Sequence, residues 1–292
     1  LDNGYPVTEQ LLNQPVVLNV QNVDGSWVKW KPQNYDGSTG GLTTLREGLR
    51  KSMNLISVRM VQQDIAPSEQ VKRTAQRMGI TTDIRAVDAL ALGTSEVYPL
   101  EIVSAYAAFA NQGVYSKPFP ITRVEDRYGN VIKEFYPERK EVLSEETAYL
   151  MTSLMQTVMD RGTGGSARWK YKFNRPAAGK TGTTQGWSDA WFVGFTPQIA
   201  AGCWFGVDDF RVPLGPGQDG SIAALPAWAR FMKGAHDTLD FPIQKFEKPS
   251  GIQDIEICSV TKKAPVPACP VEKEIFKVGT EPIQKCKVHR TH

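Results

Sequence analysis

At 292 residues, with 41% hydrophobic and 22% charged positions, the chain has the make-up of a globular protein holding one large domain or two. A formal net charge of +3, with no basic run interleaved with aromatics, leaves no footprint for nucleic acid and only weak attraction to anionic polymer. No apolar run approaches the roughly 18 residues of a membrane-spanning helix, and an opening at Leu1 without Met or a signal-peptide pattern reads as an internal start within a longer chain.

In chain order, Val16 to Val20 and Trp27 to Trp30 read as short strands about an Asp24-Gly25 turn. Pro32 to Gly37 is a loop. Thr43 or Thr44 caps a helix through Leu45 and Leu49, with Glu47 early and Arg50 and Lys51 late, as the helix dipole favours. A second helical pattern runs through Ile56, Met60 and Val61. Ser52 and Asn54 therefore fall in a tight inter-helix loop that can present two short polar side chains to a cleft. Ser68 caps a helix through Val71, Ala75 and Met78 that closes at Gly79, and another runs from about Pro99 to Gly113. Ile121 to Glu125 and Val131 to Phe135 form a hairpin around Tyr128-Gly129-Asn130. Ser144 opens a helix with Glu145 and Glu146 in its first turn and Met151, Leu154, Met155 and Val158 as its core face. Gly162 to Ala167 lacks the preceding strand that a phosphate loop needs, so it reads as a flexible loop bordering a cleft.

Ala178-Gly179-Lys180-Thr181-Gly182-Thr183-Thr184 follows. Lys180 to Thr184 reads as an edge strand opening an antiparallel meander with Ala190 to Thr196 and Ile199 to Val207. Such an edge offers backbone groups to an extended peptide. Glycine permits close approach, lysine supplies positive charge, and the threonines supply donors for a carboxylate. A phosphate-binding Gly-x-x-x-x-Gly-Lys-Thr is excluded because Asn174 stands where its first glycine belongs. An aspartyl-phosphate site is excluded because Gly179 precedes the lysine. A Lys-Thr-Gly strand with an upstream Ser-x-Asn, here Ser52-Met53-Asn54, remains.

A last helix is expected from Ala223 to about Ala235, with Trp228, Phe231 and Met232 buried. From Phe246 onward Pro and Cys rise and helical periodicity ends, which divides the chain into residues 1–245 and a tail, 246–292. Cys203 lies in an apolar run and reads as an inert thiol. Cys258, Cys269 and Cys286 show no Cys-x-x-Cys spacing, which argues against a metal site and leaves one disulfide with no assignable pairing. His236, His289 and His292 have no partnering serine motif and read as surface or tail residues. Asp208-Asp209 reads as a solvated turn, Trp191 as core, and Trp187 as a cleft wall.

The sequence resembles the transpeptidase domain of class A (bifunctional) penicillin-binding proteins. The resemblance rests on Leu1-Asp2-Asn3-Gly4-Tyr5, Asn34-Tyr35-Asp36-Gly37, Thr44-Leu45-Arg46-Glu47 with Ser52-Met53-Asn54, Ala107 to Gly113, Arg161-Gly162-Thr163-Gly164, Gly179 to Thr183 running into Asp189 to Gly194, and Thr280-Glu281-Pro282. It implies an α/β (α+β) fold of the penicillin-binding transpeptidase and serine β-lactamase type: a central antiparallel sheet flanked by helices, plus a helical lobe bearing the Ser-x-Asn loop. It implies a peptidoglycan D,D-transpeptidase, in which a serine attacks the D-Ala-D-Ala carbonyl of a stem peptide, expels D-alanine, and yields its acyl group to an amine.

In that scheme Ser52 relays a proton to the leaving nitrogen. Asn54 holds the substrate amide and a motif lysine, and Lys180 supplies positive potential. Thr181, Gly182, Thr183 and Thr184 form the substrate strand, with the Thr181 and Thr183 hydroxyls on the terminal carboxylate and the Thr183 N–H as half of an oxyanion hole. No cofactor is implied. β-Lactam antibiotics are expected ligands as mimics of D-Ala-D-Ala. A membrane anchor and a glycosyltransferase domain are expected in an N-terminal part, at the extracytoplasmic (periplasmic) face of a bacterial membrane. The family nucleophile is the serine of Ser-x-x-Lys. Ser26-Trp27-Val28-Lys29 is strand-like and Ser259-Val260-Thr261-Lys262 lies in the tail, so the nucleophile is expected upstream of Leu1 and the chain alone is expected to be inactive. The alternative is a non-catalytic module of the same fold that binds stem peptide or β-lactam.

Overall fold

The computed structural model describes residues 1–21, 24–209 and 211–289. The chain begins with strands β1 (Gln10–Leu12), β2 (Leu18–Gln21), β3 (Trp27–Trp30) and β4 (Leu42–Thr44), followed by helices α1 (Leu45–Arg50), α2 (Asn54–Gln62) and α3 (Ser68–Arg77). β2 and β3 make the expected hairpin, and β1 pairs with β4. Thr44 caps α1 by accepting the Glu47 N–H at 3.1 Å. Gly48 lies where α1 meets α2. A Cβ there would sit 2.7 Å from Ile56 Cγ2, so the crossing requires glycine.

A second group comprises α4 (Pro99–Ala110) and strands β5 (Val114–Ser116), β6 (Arg123–Glu125), β7 (Val131–Glu134) and β8 (Arg139–Glu141). The β6–β7 hairpin is an excursion between the paired strands β5 and β8. Helix α5 (Glu145–Arg161) follows, and Ser144 Oγ caps it by accepting the Thr147 N–H at 3.2 Å. The short helix α6 (Ser166–Trp169) occupies part of the loop expected from Gly162 to Ala167.

Strands β9 (Ala178–Thr183), β10 (Asp189–Phe195) and β11 (Ala200–Gly206) form an antiparallel sheet in the order β11-β10-β9, followed by α7 (Leu225–Thr238). Strand alternation separates two cores. On one face Phe192 packs with Phe173, Met159 and the α7 residues Trp228 and Met232. On the other Phe195 and Ala178 pack with Met155 of α5 and Tyr106 and Phe109 of α4. Helices thus cover both faces, as the resemblance implies. The Trp228 indole N–H donates to Ala201 O at 3.1 Å, tying α7 to the sheet.

Two expectations for α7 are corrected. Its buried stripe is Leu225, Trp228, Ala229, Met232 and His236, and Phe231 falls beside that stripe at 56% exposure. His236 is fully buried, not at the surface. Its Nδ1 lies 2.8 Å from Met232 O, an acceptor, so Nδ1 carries the proton and Nε2 accepts from the Thr196 hydroxyl at 2.9 Å.

The tail contains a β-hairpin, β12 (Ile252–Cys258) and β13 (Val271–Lys277), paired along its length. Its connection holds Pro265, Pro267 and Pro270, which mask the strands in a composition reading. The hairpin docks on the main body. Ile252 joins Val7, Leu150 and Leu154 in one core, and Arg46 of α1 grips Glu274 through Nε–Oε2 and Nη2–Oε1 contacts of 2.6 Å each. The four cysteines are free, so the expected tail disulfide is not formed. The spacing argument against a metal-ligand set also fails in three dimensions. Cys258, Cys269, Cys286 and His289 bring their ligand atoms within 4.8 Å of one another, assembled across the hairpin rather than along the chain. His292 lies outside the described residues.

Candidate active site

Ser52 follows the last turn of α1, where its N–H donates to Leu49 O at 3.1 Å and the Met53 N–H donates to Gly48 O at 2.8 Å. Met53 is buried with Leu11, Leu45, Ile56 and Ile65. Anchoring residue 53 while α2 starts at Asn54 forces Ser52 into left-handed backbone, φ +55°. That conformation costs a non-glycine residue roughly 1 kcal/mol, held here by its neighbours. Buried Asn34 braces the other side. Its Oδ1 accepts the Leu55 N–H at 3.1 Å, and its Nδ2 donates to Asn13 Oδ1 at 2.8 Å and Ser38 O at 2.7 Å.

Lys180 reaches this loop from β9. Its Nζ donates to Ser52 Oγ at 2.6 Å and to Thr181 O at 2.8 Å. Burial pushes its ammonium down to about 8. A Ser52 oxygen that accepts from an ammonium keeps its own proton free to point away from Lys180. The pair can therefore pass a proton to a third group.

Among the described residues β9 pairs only with β10, and no strand lies along its other edge. The Thr184 N–H donates to Asp189 O at 3.1 Å. By the alternation of an antiparallel ladder, the Thr183 N–H and the Thr181 C=O then face the open edge. The Thr183 hydroxyl accepts the Gly220 N–H at 3.1 Å, which leaves its proton available to donate outward. The Thr181 hydroxyl lies 2.8 Å from that of Thr163.

Thr184, Asn54 and Gly182 are the other three expected site residues. Thr184 Oγ1 accepts the Asp189 N–H at 2.8 Å and lies 2.8 Å from Ser188 Oγ, so it closes the β9–β10 turn. Asn54 heads α2, and its amide donates to Gln33 O at 2.8 Å. Gly182 stands opposite Trp191 in the ladder. Neither Ser-x-x-Lys string joins Ser52: Ser26 bonds Asp24 Oδ1, and Ser259 donates to Pro270 O at 3.2 Å while Lys262 pairs with Glu272.

Tyr35, Thr163, Asn34 and Gly220 complete the surroundings. The Trp187 indole N–H donates to Tyr35 OH at 3.2 Å, so the expected wall is a pair of rings. An open pocket of about 360 Å³ beside Ser52 carries Arg50, Lys51 and Arg161 against one carboxylate, Asp36. Glu47 pairs with Arg50 at 2.5 Å and with Lys51 at 3.3 Å, which offsets much of that positive charge. Asn-Tyr-Asp-Gly and Gly-Thr-Gly were readable as loops, but which loops face β9 depends on contacts far apart in sequence.

Residues 2–208 match the family described as "Penicillin binding protein transpeptidase domain", and residues 248–291 match "Penicillin-binding protein 1A, C-terminal domain". The chain is 37% identical over 257 residues to penicillin-binding protein 1A of Aquifex aeolicus, covering 88% of this chain and 34% of that protein. It is 30% identical to penicillin-binding protein 1A of Pseudomonas aeruginosa, covering 95% of this chain and 39% of the relative. The chain thus spans between a third and two fifths of these relatives' length. The crystal structure of penicillin-binding protein 1A from Haemophilus influenzae superposes with a TM-score of 0.87 at 28% identity, over 98% of this chain and 47% of that one. The Mycobacterium tuberculosis PonA1 protein in complex with penicillin V shares the fold at a TM-score of 0.67 and 24% identity, over 85% of this chain and 68% of that one.

Proposed function

Because the chain belongs to the penicillin-binding protein transpeptidase family, matched over residues 2–208, we propose that it supplies the peptide-binding strand and proton relay of a serine D,D-transpeptidase. Its substrates in this reading are the D-Ala-D-Ala stem peptides of bacterial peptidoglycan. The single observation that carries the reading is the 2.6 Å contact of Lys180 Nζ with Ser52 Oγ beside an open strand edge.

The stem peptide lies along the outer edge of β9 as an added strand. Its terminal carboxylate meets the Lys180 ammonium and the Thr183 hydroxyl. The scissile carbonyl oxygen meets the Thr183 N–H, and loss of one such donor typically costs on the order of a hundredfold or more in rate. The nucleophilic serine and its lysine come from a Ser-x-x-Lys helix outside these 292 residues. As the serine oxygen bonds to the carbonyl carbon, its proton passes through that lysine and Ser52 to the departing D-alanine nitrogen, and the C–N bond breaks. An acceptor amine then displaces the ester oxygen, which recovers its proton. β-Lactams enter the same strand edge and stop at the ester. We assign residues 1–245 to this transpeptidase unit and 246–292 to an appended module. The whole protein carries a glycosyltransferase domain and a membrane anchor and works on the extracytoplasmic face of the membrane.

Intact mass after incubation with a fluorescent penicillin tests this. The full-length protein is expected to gain one adduct, mapped outside residues 1–292, while the chain as given gains none. An adduct on a serine of the chain as given would overturn the assignment of the nucleophile. A folded full-length protein that binds penicillin without an adduct would mark a binding module.

A further inference from the structure

We propose that Cys258, Cys269, Cys286 and His289 bind one zinc ion, which locks the C-terminal hairpin into its fold. This does not rest on the transpeptidase reading, because the cluster lies in the tail hairpin and shares no residue with the Ser52–Lys180 site.

The donor set and its geometry carry the inference. The sulfurs of Cys258, Cys269 and Cys286 lie 3.5, 3.4 and 3.3 Å from His289 Nδ1. A tetrahedral zinc ion, ~2.3 Å from sulfur and ~2.0 Å from nitrogen, sets S···N edges of about 3.5 Å. One imidazole nitrogen therefore stands where the fourth vertex belongs, equally close to three sulfurs. A disulfide uses two sulfurs and leaves the third, and nothing in it calls for a histidine at their centre. Three thiolates with one imidazole select zinc over hard cations, which take oxygen ligands.

The backbone around the cluster is built for thiolates. The Thr261 N–H donates to Cys258 Sγ at 3.5 Å, and the Val266 N–H donates to Cys269 Sγ at 3.3 Å. Lys262 closes the first turn in left-handed backbone, φ +59°, with its N–H on Cys258 O at 2.8 Å. The second ligand pair, Cys286-x-x-His289, is brought in by a bridge between Ala264 and Lys285 and by the Cys286 N–H on Ala264 O at 2.8 Å. Cys258 and Cys286 are buried. Zinc with three thiolates carries a net charge of −1, and the ligand-bearing segments hold Lys262, Lys263, Lys285 and Lys287. The ion joins the end of β12, the approach to β13 and the segment after it. A hairpin too small for its own large core gains a cross-link there.

The test is made on the full chain purified with zinc present and reductant maintained. Native mass spectrometry is expected to show one zinc per chain. Cobalt replacement is expected to give thiolate-to-metal charge-transfer absorption with the intense visible bands of a tetrahedral site. Thiol titration in denaturant with chelator is expected to find all four cysteines reduced. Cys286→Ser and His289→Ala should each lower metal affinity at least tenfold, while penicillin acylation of the corresponding full-length variants stays at the wild-type rate. Absence of stoichiometric zinc, a titration finding two thiols and hence a disulfide, or unchanged affinity in both variants would each overturn the proposal. The cobalt spectrum is read on the unmutated chain, so a variant that misfolds does not decide the question.

Discussion

Lys180 Nζ and Ser52 Oγ lie 2.6 Å apart although 128 residues separate them in sequence. Each is fixed independently, Lys180 by the β9–β10 ladder and Ser52 by the α1–α2 junction. The contact is therefore a property of how the helical lobe docks on the sheet.

Strain at Ser52 gives a first prediction. Ser52→Gly and Ser52→Ala both remove the hydroxyl, but only glycine adopts φ +55° without steric cost. The glycine variant should be about 1 kcal/mol more stable than the alanine variant in urea unfolding. Equal stability would mean that the loop relaxes in the folded state.

Lys180 gives a pH dependence with opposite effects on stability and ligand binding. Burial lowers its ammonium from the ordinary 10.5 to about 8. Between those values the unfolded chain binds more protons than the folded one, so this group's contribution to stability rises with pH from about 8 to 10.5. The stability difference between wild type and Lys180→Met should change across that window and be flat below it. Penicillin acylation of the full-length protein should instead decline as pH rises past about 8, because the charge that holds the carboxylate is lost. A profile flat through pH 9 would contradict this.

At Gly220 the chain crosses the β9–β10 pair so closely that a Cβ would overlap Trp191 O and lie 2.6 Å from Gly182 O. Both are backbone atoms and cannot swing aside. Gly220→Ala should lower stability by about 1–3 kcal/mol and displace the Thr183 hydroxyl bonded to it. Thermal unfolding and penicillin acylation should fall together.

The Arg46–Glu274 pair joins α1 to the tail, and both side chains are largely buried, at 13% and 12% exposure. Glu274→Ala leaves a buried guanidinium without its carboxylate, a change worth about 3 kcal/mol. The expected readout is faster proteolytic release of the tail, with little change for the sheet.

The extent to which this structure was legible in sequence follows the range of the interactions. Thr44, Ser144 and the α5 apolar face were readable because capping and helical periodicity act within a few residues. The β9 edge strand was readable from one glycine-lysine-threonine string and the apolar runs after it. Burial of His236 was not, because its partner Thr196 comes from a turn 40 residues away. The tail hairpin was hidden by prolines in its connection, and its Cys–His cluster by ligands drawn from three separate segments. Asn54 and Thr184 were legible as members of the Ser-x-Asn and Lys-Thr-Gly strings, but a motif does not specify that Gln33 and Asp189 take up their side chains.

The most direct test of the Ser52–Lys180 relay is the acylation rate of the full-length protein by a penicillin, with Ser52→Ala compared to wild type. A fall of roughly 10²–10⁴-fold is expected, the range for a lost general acid–base group, with cooperative unfolding retained. An unchanged rate in the folded variant would contradict it and leave the contact with Lys180 a structural one.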